Sequence, residues 1–240
     1  MNIIKLSAID STNDFLLNMA DRGKVEQFQV VQTDFQTKGR GQFGKKWESK
    51  PGENLMFSLF FQPKPSMSLT ELNQLVALSI IDALKVYSLP NLSIKWPNDI
   101  LSGGHKIAGI LIETKLNNSG IKHAVIGLGL NVNQTEFNPK FKATSLKQLK
   151  ASFETLDQVS VHVIESLISQ LTKFNSNMGY KESYERQLFG LNRVRLFIRN
   201  SNDSKFQAII KGINQTNELI LEHEDGTLEC IKNGEIKYCL

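Results

Sequence analysis

Residues 39–47 read G-R-G-Q-F-G-K-K-W and separate two apolar runs of the chain. The three glycines allow the backbone to adopt positive φ angles and to approach a ligand closely. Successive N–H groups in such a loop can bind an anion, and the planar guanidinium of Arg40 suits a carboxylate or a phosphate. The segment is not a P-loop, because no Gly-Lys-Ser/Thr closes it, and no clear helix follows it as in a dinucleotide fingerprint. It predicts an anion-binding loop, and a flexible surface loop remains the alternative when the segment is taken alone.

The apolar runs on both sides of this loop predict strands at 28–33 and 54–62. Before them, Ser11-Thr12-Asn13 caps an apolar stripe that Gly23 ends, which predicts a helix over 12–22. After them, the pattern Ser68 to Glu71 is a capping box. It opens a second helix that runs to about residue 87. One face of this helix carries Leu72, Leu75, Val76, Ser79 and Ala83.

The rest of the chain predicts a sheet, two more helices and a separate β module. The elements are a short strand at 93–96, a glycine hairpin turn at 103–104, two paired strands at 107–113 and 124–131, a long helix over 161–174, and a shorter helix that reaches about residue 188. After Gly190, four short strands follow at 194–198, 206–210, 219–222 and 228–231, with hairpin signals at 225–226 and 233–234. We therefore expect an α+β domain over 1–189 and a small SH3-like β-barrel over 190–240.

Composition and charge exclude several classes of protein. The chain has 240 residues, 40% of them hydrophobic and 22% charged, so it is no disordered tail. Its net charge of +4 is too small to indicate nucleic-acid binding by bulk electrostatics. Residues 190–240 are neutral, so the excess lies in 1–189 and is densest at 38–50. This patch suits a phosphate-bearing small molecule, and a solvated loop is the alternative.

Cysteine and histidine usage point to a protein without a disulfide scaffold or a zinc site. Cys230 and Cys239 are too few for a secreted disulfide framework, and the four histidines are scattered. The N-terminus lacks a signal-peptide core, and the strongest apolar run, 55–61, is far too short for a membrane span. We expect a reduced, soluble, cytoplasmic protein with no membrane partner.

Three further motifs carry chemistry. Residues 95–99 read K-W-P-N-D and gather a lysine, an amide and a carboxylate at a strand end; an ordinary strand end with a buried tryptophan is the alternative. Residues 106–113 place Lys106 at the start of an apolar strand. If this lysine lies beside a buried pocket, its ammonium calls for an anion, although many strands simply start with an exposed lysine. Residues 126–133 place two glycines in a strand, which indicates a close approach by a ligand or by another backbone, with tight strand packing as the alternative.

The order and spacing of these motifs resemble the biotin–protein ligase family, also called biotin–[acetyl-CoA-carboxylase] ligases. The resemblance covers nearly the whole chain. It rests on Ser11-Thr12-Asn13, Gln36, the loop 39–47, and the segments 95–99, 106–113, 127–131 and 143–146. It implies an α+β catalytic domain with a mixed sheet, followed by an SH3-like domain.

The resemblance also implies a two-step reaction. Biotin's carboxylate attacks the α-phosphate of ATP, with Mg²⁺, to give biotinyl-5′-AMP and pyrophosphate. A lysine amine of a biotin carboxyl carrier domain then attacks the mixed anhydride. Cations must screen the approach of one anion to another, and Arg40 and Lys106 are the expected catalytic residues.

By the same resemblance, the site residues fall into two groups. The biotin-binding group is Ser11, Thr12, Asn13, Gln36, Gly39, Arg40, Gly41, Gln42, Trp47, Lys106, Gly109 and Gly127. The ATP-binding group is Arg40, Lys95, Asn98, Asp99, Lys106 and Asn131. Hydroxyls and amides suit the neutral ureido ring of biotin. The Mg²⁺ ligands are not indicated.

One departure from the family pattern concerns Gln42. The family loop often has a second arginine at this position, so we hypothesise that this chain relies more on Arg40 and on loop closure to hold the adenylate. Because Ser11 comes almost at the start, we expect no DNA-binding domain and no DNA partner. A lipoate or octanoate ligase and a non-catalytic biotin sensor remain alternatives, and the chain is expected to be a monomer or a homodimer.

Overall fold

The computed structural model describes residues 2–153, 155–176 and 178–239. The first seven strands are β1 (Ile3–Leu6), β2 (Val30–Thr33), β3 (Asn54–Phe61), β4 (Ser93–Lys95), β5 (Asp99–Ser102), β6 (His105–Asn117) and β7 (Gly120–Asn131). The helices are α1 (Thr12–Asp21), α2 (Leu69–Leu84), α3 (Leu156–Thr172) and α4 (Tyr180–Arg186). The last five strands are β8 (Val194–Arg199), β9 (Lys205–Ile213), β10 (Leu219–Glu222), β11 (Leu228–Ile231) and β12 (Ile236–Tyr238).

The first seven strands form one mixed sheet in the order β1-β2-β3-β7-β6-β5-β4. Strands β1 and β2 run parallel, and every other neighbouring pair is antiparallel. The α+β fold class with a mixed sheet is therefore confirmed.

The two faces of this sheet have different partners because side chains alternate along a strand. On one face, Phe57 and Ile126 belong to the main hydrophobic core that also contains α2 and α3. On the other face, Phe60 and Val125 pack with Leu16 of α1 in a smaller cluster. The remainder of this second face is left for a cavity.

Helices α1 and α2 begin where their capping residues indicate, whereas α3 begins at Leu156, before the predicted residue 161, because Thr155 caps it. Ser68 Oγ accepts a hydrogen bond from the Glu71 N–H at 3.1 Å, and Glu71 Oε2 accepts one from the Ser68 N–H at 2.8 Å. This reciprocal pair stabilises the start of α2. The predicted apolar face of α2 is buried throughout. The helix ends at Leu84, and one 3₁₀ turn continues to Tyr87.

Three short strands, β1, β5 and β12, were not predicted from the sequence, and β6 and β7 are longer than predicted. The short strands have three or four residues each, too few to show a two-residue alternation. They are strands because a neighbouring strand pairs with them. The β6–β7 hairpin extends to Gly120 through exposed polar residues, which an apolar pattern does not reveal.

Strands β8–β12 form the C-terminal β module, an antiparallel sheet in the order β11-β10-β9-β8-β12. This is the small β domain that the sequence predicts, with five strands instead of four. Its edge strands β11 and β12 are joined by the short turn 232–235, so the sheet curls on itself. The module packs beside β4: Trp96 Nε1 donates to the Asn217 carbonyl at 2.8 Å, and the Ile213 N–H donates to Glu185 Oε1 at 2.9 Å.

No helix within the described ranges combines the length and the apolar character that crossing a membrane requires.

Candidate active site

A cavity of about 1230 Å³ opens on the second face of the sheet. The strands β6 and β7 form its floor, and the start of α1 closes one end. The glycine loop 39–47, the segment 95–99 and the C-terminal β module form its walls. Single-ligand pockets usually measure about 300–1,000 Å³. The cavity is therefore large enough for two small molecules side by side.

A β-bulge in β6 decides where Lys106 points. Leu101 pairs with Lys106 and Ile100 pairs with Ala108, so Ile107 is an extra residue in the ladder. Without the bulge, Lys106 and Gly109 would face opposite sides of the sheet, because they are three residues apart. With it, Lys106 Nζ lies about 3.0 Å from the position that a Cβ at Gly109 would occupy. The bulge thus brings the lysine onto the cavity face.

Glycines make the cavity floor flat enough for bulky groups to lie on it. Gly109 and Gly129 are paired across β6 and β7, and the Trp47 indole lies over both. A methyl group at Gly129 would overlap the indole ring, and one at Gly127 would overlap the Asn13 amide. The groups that approach the glycines of β7 are therefore the Asn13 and Trp47 side chains, and not another backbone as the sequence suggested.

One end of the cavity is neutral and polar. Ser11 caps α1 by accepting a hydrogen bond from the Asp14 N–H at 3.4 Å. The next residue, Thr12, donates to Gln36 Oε1 from its backbone N–H at 2.8 Å and from its hydroxyl at 3.2 Å. Ser58 Oγ donates to Thr12 Oγ1 at 2.7 Å. Because Ser11, Thr12 and Ser58 are buried, this hydroxyl–amide network is fixed in place by the helix start and by β3.

Asn13 has a role different from the capping suggested by the sequence. Its Nδ2 donates to Glu113 Oε2 at 2.7 Å, and its Oδ1 lies within hydrogen-bond distance of Ser58 Oγ. The residue is buried. It links α1 to β3 and β6 and fills the space above Gly127.

The other end of the cavity is charged. Asp99 lies between two lysines: its Oδ1 is 2.6 Å from Lys106 Nζ, and its Oδ2 is 3.1 Å from Lys95 Nζ. Burial by itself would raise the pKa of Asp99, but the ammonium groups of Lys106 and Lys95 outweigh burial and lower the pKa below its usual value. Two cations that share one carboxylate leave a net positive charge at this end.

Arg40 does not lie with these lysines. Its Nη2 forms an ion pair with Asp14 and lies 3.2 Å from Glu113 Oε1. The side chain is 41% exposed, so it reaches the cavity from the outer edge of the loop. The two residues that the sequence predicts to be catalytic therefore line the same cavity from different sides.

Asn98 and Asn131 support the backbone around the site. Asn98 Nδ2 donates to the Ile110 carbonyl at 2.7 Å. Asn131 Nδ2 donates to the Thr144 carbonyl at 2.9 Å and to the Lys106 carbonyl at 3.4 Å. Both amide groups line the cavity, but their donors are directed to carbonyls of the chain. Their contacts fix the segments that carry Asp99 and Lys106.

The cavity brings together almost all of the predicted site residues. They are Ser11, Thr12, Asn13, Gln36, Arg40, Gly41, Gln42, Trp47, Lys95, Asn98, Asp99, Lys106, Gly109, Gly127 and Asn131. Gly39 differs: it is buried at the base of the loop, where a Cβ would lie 2.9 Å from the Trp47 carbonyl oxygen.

Several residues that shape the site were not predicted from the sequence, and four of them illustrate why. Ser58 lies within an apolar strand, and Glu113 was seen only as a strand end. Ser58 and Glu113 contact the lining residues Thr12, Asn13 and Arg40. Lys237 and Tyr238 belong to the C-terminal β module and line the cavity themselves. Lys95 Nζ lies 5.5 Å from the centre of the Tyr238 ring. Only the polar residue inside an apolar run was a local signal, because the module reaches the cavity through tertiary packing.

A dedicated metal centre is absent from the described parts of the chain, where no three His, Cys, Asp or Glu side chains come together as possible ligands. Asp99 is the carboxylate nearest to the two lysines, and both of its oxygens contact them. The site offers at most one or two oxygen ligands to a cation.

Comparison with known proteins shows which family this chain belongs to. The family model described as Biotin/lipoate A/B protein ligase matches residues 6–131, more than half of the chain. The chain belongs to the biotin/lipoate A/B protein ligase family. The matched region of this ligase-family enzyme contains α1, the glycine loop and strands β2–β7, and so most of the cavity.

Individual relatives agree with this assignment. A bifunctional ligase/repressor of Bacillus spizizenii is 30% identical over 235 residues, which cover 94% of this ligase-family chain and 70% of the relative. A biotin–[acetyl-CoA-carboxylase] ligase of Mycobacterium tuberculosis is 28% identical over 80% of the chain and 73% of the relative. Among solved structures, a biotin protein ligase of Aquifex aeolicus in complex with biotin and ATP matches with a TM-score of 0.77. It is 28% identical, and the match covers 99% of this chain and 98% of the other.

Proposed function

We propose that this enzyme activates biotin with ATP to biotinyl-5′-AMP and transfers the biotinyl group to a lysine of a biotin carboxyl carrier domain. The observation that carries the proposal is the polarity of the cavity. A neutral hydrogen-bonding end and a cationic end share one space, with Trp47 lying over the glycine floor. A molecule with a neutral ring and a carboxylate tail, next to a triphosphate, requires both ends. The Mycobacterium tuberculosis and Aquifex aeolicus relatives carry biotin ligase names, which favours biotin over lipoate.

The first step joins two anions. A carboxylate oxygen of biotin attacks the α-phosphorus, a new P–O bond forms, and the bond to pyrophosphate breaks. In our proposal, Lys106 and Lys95 neutralise the phosphates, because fixed cations in a partly buried site stabilise developing negative charge. Asp99 keeps both ammonium groups in place before the substrate arrives.

Arg40 approaches the same space from the loop. Its ion pairs with Asp14 and Glu113 hold the guanidinium at the cavity edge. Exposed pairs of this kind are weak, so an incoming anion can compete for the guanidinium. We assign Arg40 to the adenylate, after it exchanges a carboxylate of the chain for a phosphate oxygen.

The neutral end is assigned to the ureido ring. This ring has two N–H donors and one carbonyl acceptor. The amide and hydroxyl groups of Gln36, Thr12 and Ser11 offer both kinds of partner.

The second step of the proposed reaction transfers the biotinyl group. The carrier's lysine amine attacks the carbonyl carbon of the mixed anhydride. An amide bond forms, and AMP leaves with the electrons of the broken C–O bond.

Mg²⁺ fits this site as a companion of ATP and not as a resident ion. Magnesium usually binds through one or two carboxylates with substrate phosphates and water, and Asp99 with Asn98 meets that description. When it is bound, the ion would supply further charge neutralisation to the phosphates.

We assign residues 1–189 to the catalytic domain and 190–240 to the C-terminal domain, which supplies part of the cavity wall.

We also propose that the enzyme works in the cytoplasm. The free Cys230 and Cys239 are compatible with a reducing compartment.

Mass spectrometry of a carrier domain tests the proposal. The carrier is incubated with this protein, MgATP and either biotin or lipoate, and control reactions omit ATP. A mass gain of one biotinyl group that requires both biotin and ATP supports the proposal. Modification by lipoate alone would assign a lipoate ligase. Binding of biotin without pyrophosphate release would assign a sensor, and either result would overturn the proposal.

A further inference from the structure

The tip of the glycine loop touches the C-terminal β module. Asn233 Nδ2 donates a hydrogen bond to Gln42 Oε1 at 2.9 Å. The neighbouring Phe43 ring lies against Gly234, where a Cβ would come within 2.9 Å of Phe43 Cζ. Residues 42 and 233 are 191 positions apart in sequence, so only the folded structure brings them together.

The loop itself is a small closed hairpin. The Trp47 N–H donates to the Gly39 carbonyl at 3.0 Å at its base, and the Gly41 N–H donates to the Lys45 carbonyl at 2.6 Å near its tip. Bonds within the loop give it a shape, but they do not determine whether the hairpin lies over the cavity or swings away. Contacts from outside the loop must determine that.

The backbone at the tip indicates that the contact with the module is specific. Phe43 has φ 54° and ψ 40°, a left-handed conformation that bulky residues rarely adopt. Such a conformation persists only where its surroundings hold it. The Phe43 side chain is 68% exposed, so it is not held by a hydrophobic core. Within the loop, the Lys45 N–H donates to the Gln42 carbonyl at 3.2 Å across this residue. From outside the loop, the contact with Gly234 and the hydrogen bond of the neighbouring Gln42 side chain also restrain the tip.

The surface that receives the tip is itself firmly held. The Glu235 N–H donates to the Lys232 carbonyl at 3.1 Å, and the Asn200 N–H donates to the Glu235 carbonyl at 2.8 Å. Asn200 Nδ2 also donates to the Gly234 carbonyl. Gly234 has φ 93°, which only glycine adopts readily. The turn therefore presents Asn233 in a fixed position.

We propose that the Gln42–Asn233 hydrogen bond and the Phe43–Gly234 contact form a clasp, by which the C-terminal β module holds the glycine loop closed over the cavity. The loop carries Arg40 and Trp47, so opening the clasp removes one wall of the site. Gln42 and Asn233 are positioning residues that act through the loop. The effect on the adenylate rests on the proposed function, whereas the closure of the loop does not.

Hydrogen exchange of the ligand-free protein tests the clasp directly. Asn233→Ala and Gln42→Ala are compared with the parent, and amide exchange is followed in peptides that cover 39–47. One hydrogen bond of this kind corresponds to about a 2- to 12-fold change in an equilibrium constant, so we expect loop exchange to accelerate by that factor. Asn202→Ala is the matched control, because Asn202 lies in another turn of the same module and bonds only locally to Ser204.

Conservative variants separate the hydrogen bond from general disturbance of the loop. Gln42→Glu keeps an acceptor oxygen for Asn233 and should retain the parent's slow exchange. Gln42→Arg has no acceptor and should exchange as fast as Gln42→Ala. The double variant Gln42→Ala with Asn233→Ala should be no faster than either single variant, because both remove the same bond. Thermal unfolding checks that each variant folds.

Release of the adenylate provides the functional measurement. If biotinyl-5′-AMP forms, its dissociation rate should rise about 2- to 12-fold in Asn233→Ala, and the KM for biotin should rise by more than kcat falls. Folded Asn233→Ala and Gln42→Ala variants with the parent's loop exchange would overturn the clasp. Faster loop exchange without any adenylate formation would support the clasp and refute the proposed function, so the two failures are distinguishable.

Discussion

The two ends of the cavity are built in different ways. At the neutral end, hydrogen bonds between uncharged groups join Thr12, Gln36 and Ser58, and Thr12 and Ser58 are buried. At the charged end, Lys95 and Lys106 share the carboxylate of Asp99. Neutral hydrogen bonds orient a ligand but act only at short range. Charged groups attract an ionic ligand over a longer distance, and that attraction depends on pH and salt concentration. The difference indicates that one end selects a shape and the other end attracts a polyanion.

The largest effect is expected when Lys106 is removed from the charged end. Lys106→Ala should lower the rate of pyrophosphate release by roughly 10²- to 10³-fold, because removing one preorganised charge donor typically has that effect. Stopped-flow detection of pyrophosphate measures it. Lys115→Ala is the matched control: Lys115 lies on the same strand, but it is exposed and pairs with Asp21. Near-parent activity of Lys106→Ala would show that Lys106 does not stabilise the phosphates during adenylation.

The next largest effect should appear at the neutral end. A methyl group at Gly127 would overlap the Asn13 amide, and overpacking of this kind costs about 1–3 kcal/mol. Gly127→Ala should therefore displace the Asn13 amide beside Ser11 and Thr12 and raise the KM for biotin, with a much smaller change in the KM for ATP. Steady-state kinetics with each substrate varied in turn makes the measurement. A larger change for ATP than for biotin would break the division of the cavity into two ends.

The charged end should also reveal itself through pH-dependent stability. Asp99 has a pKa below its usual value in the folded protein, so its contribution to stability is present above the unfolded pKa of about 3.9. It is lost as the pH falls through the lower, folded value. Asp99→Asn should be less stable than the parent by about 1–3 kcal/mol near pH 7. This difference should shrink below about pH 4. Urea denaturation from pH 3 to pH 8 measures it, and an unchanged difference at pH 3 would contradict the shared-carboxylate arrangement.

The smallest effect concerns a single amide at the neutral end. Gln36→Ala should weaken biotin binding by about 2- to 12-fold, the usual range for one hydrogen bond. Calorimetric titration of biotin without ATP measures the affinity. Gln27→Ala is the control, because the Gln27 side chain pairs only with the backbone of Gln62, outside the cavity. An equal loss of biotin affinity in the two variants would show that Gln36 does not bind biotin directly.

Local sequence patterns predicted the elements that are stabilised locally. The Ser68–Glu71 capping box and the glycine hairpin turn at 103–104 appear as expected, because caps and turns depend on residues a few positions apart. The short strand β5 was missed, because four residues become a strand only through their neighbours. The motif residues of the site also came from the sequence, but their arrangement did not. Arg40 contacts carboxylates at one side, and Lys106 contacts Asp99 at the other.

The sequence by itself determined the α+β class, the family resemblance and many of the polar and glycine residues that line the cavity. These properties follow from residue types and their spacing. Only the tertiary structure decided that the β-bulge at Ile107 turns Lys106 toward Asp99, and that the module reaches Gln42 through Asn233. Both depend on contacts between strands or segments that the local sequence does not specify. The physical reason is that pairing register and packing are set by the whole sheet, whereas caps, turns and motifs are set within a few residues.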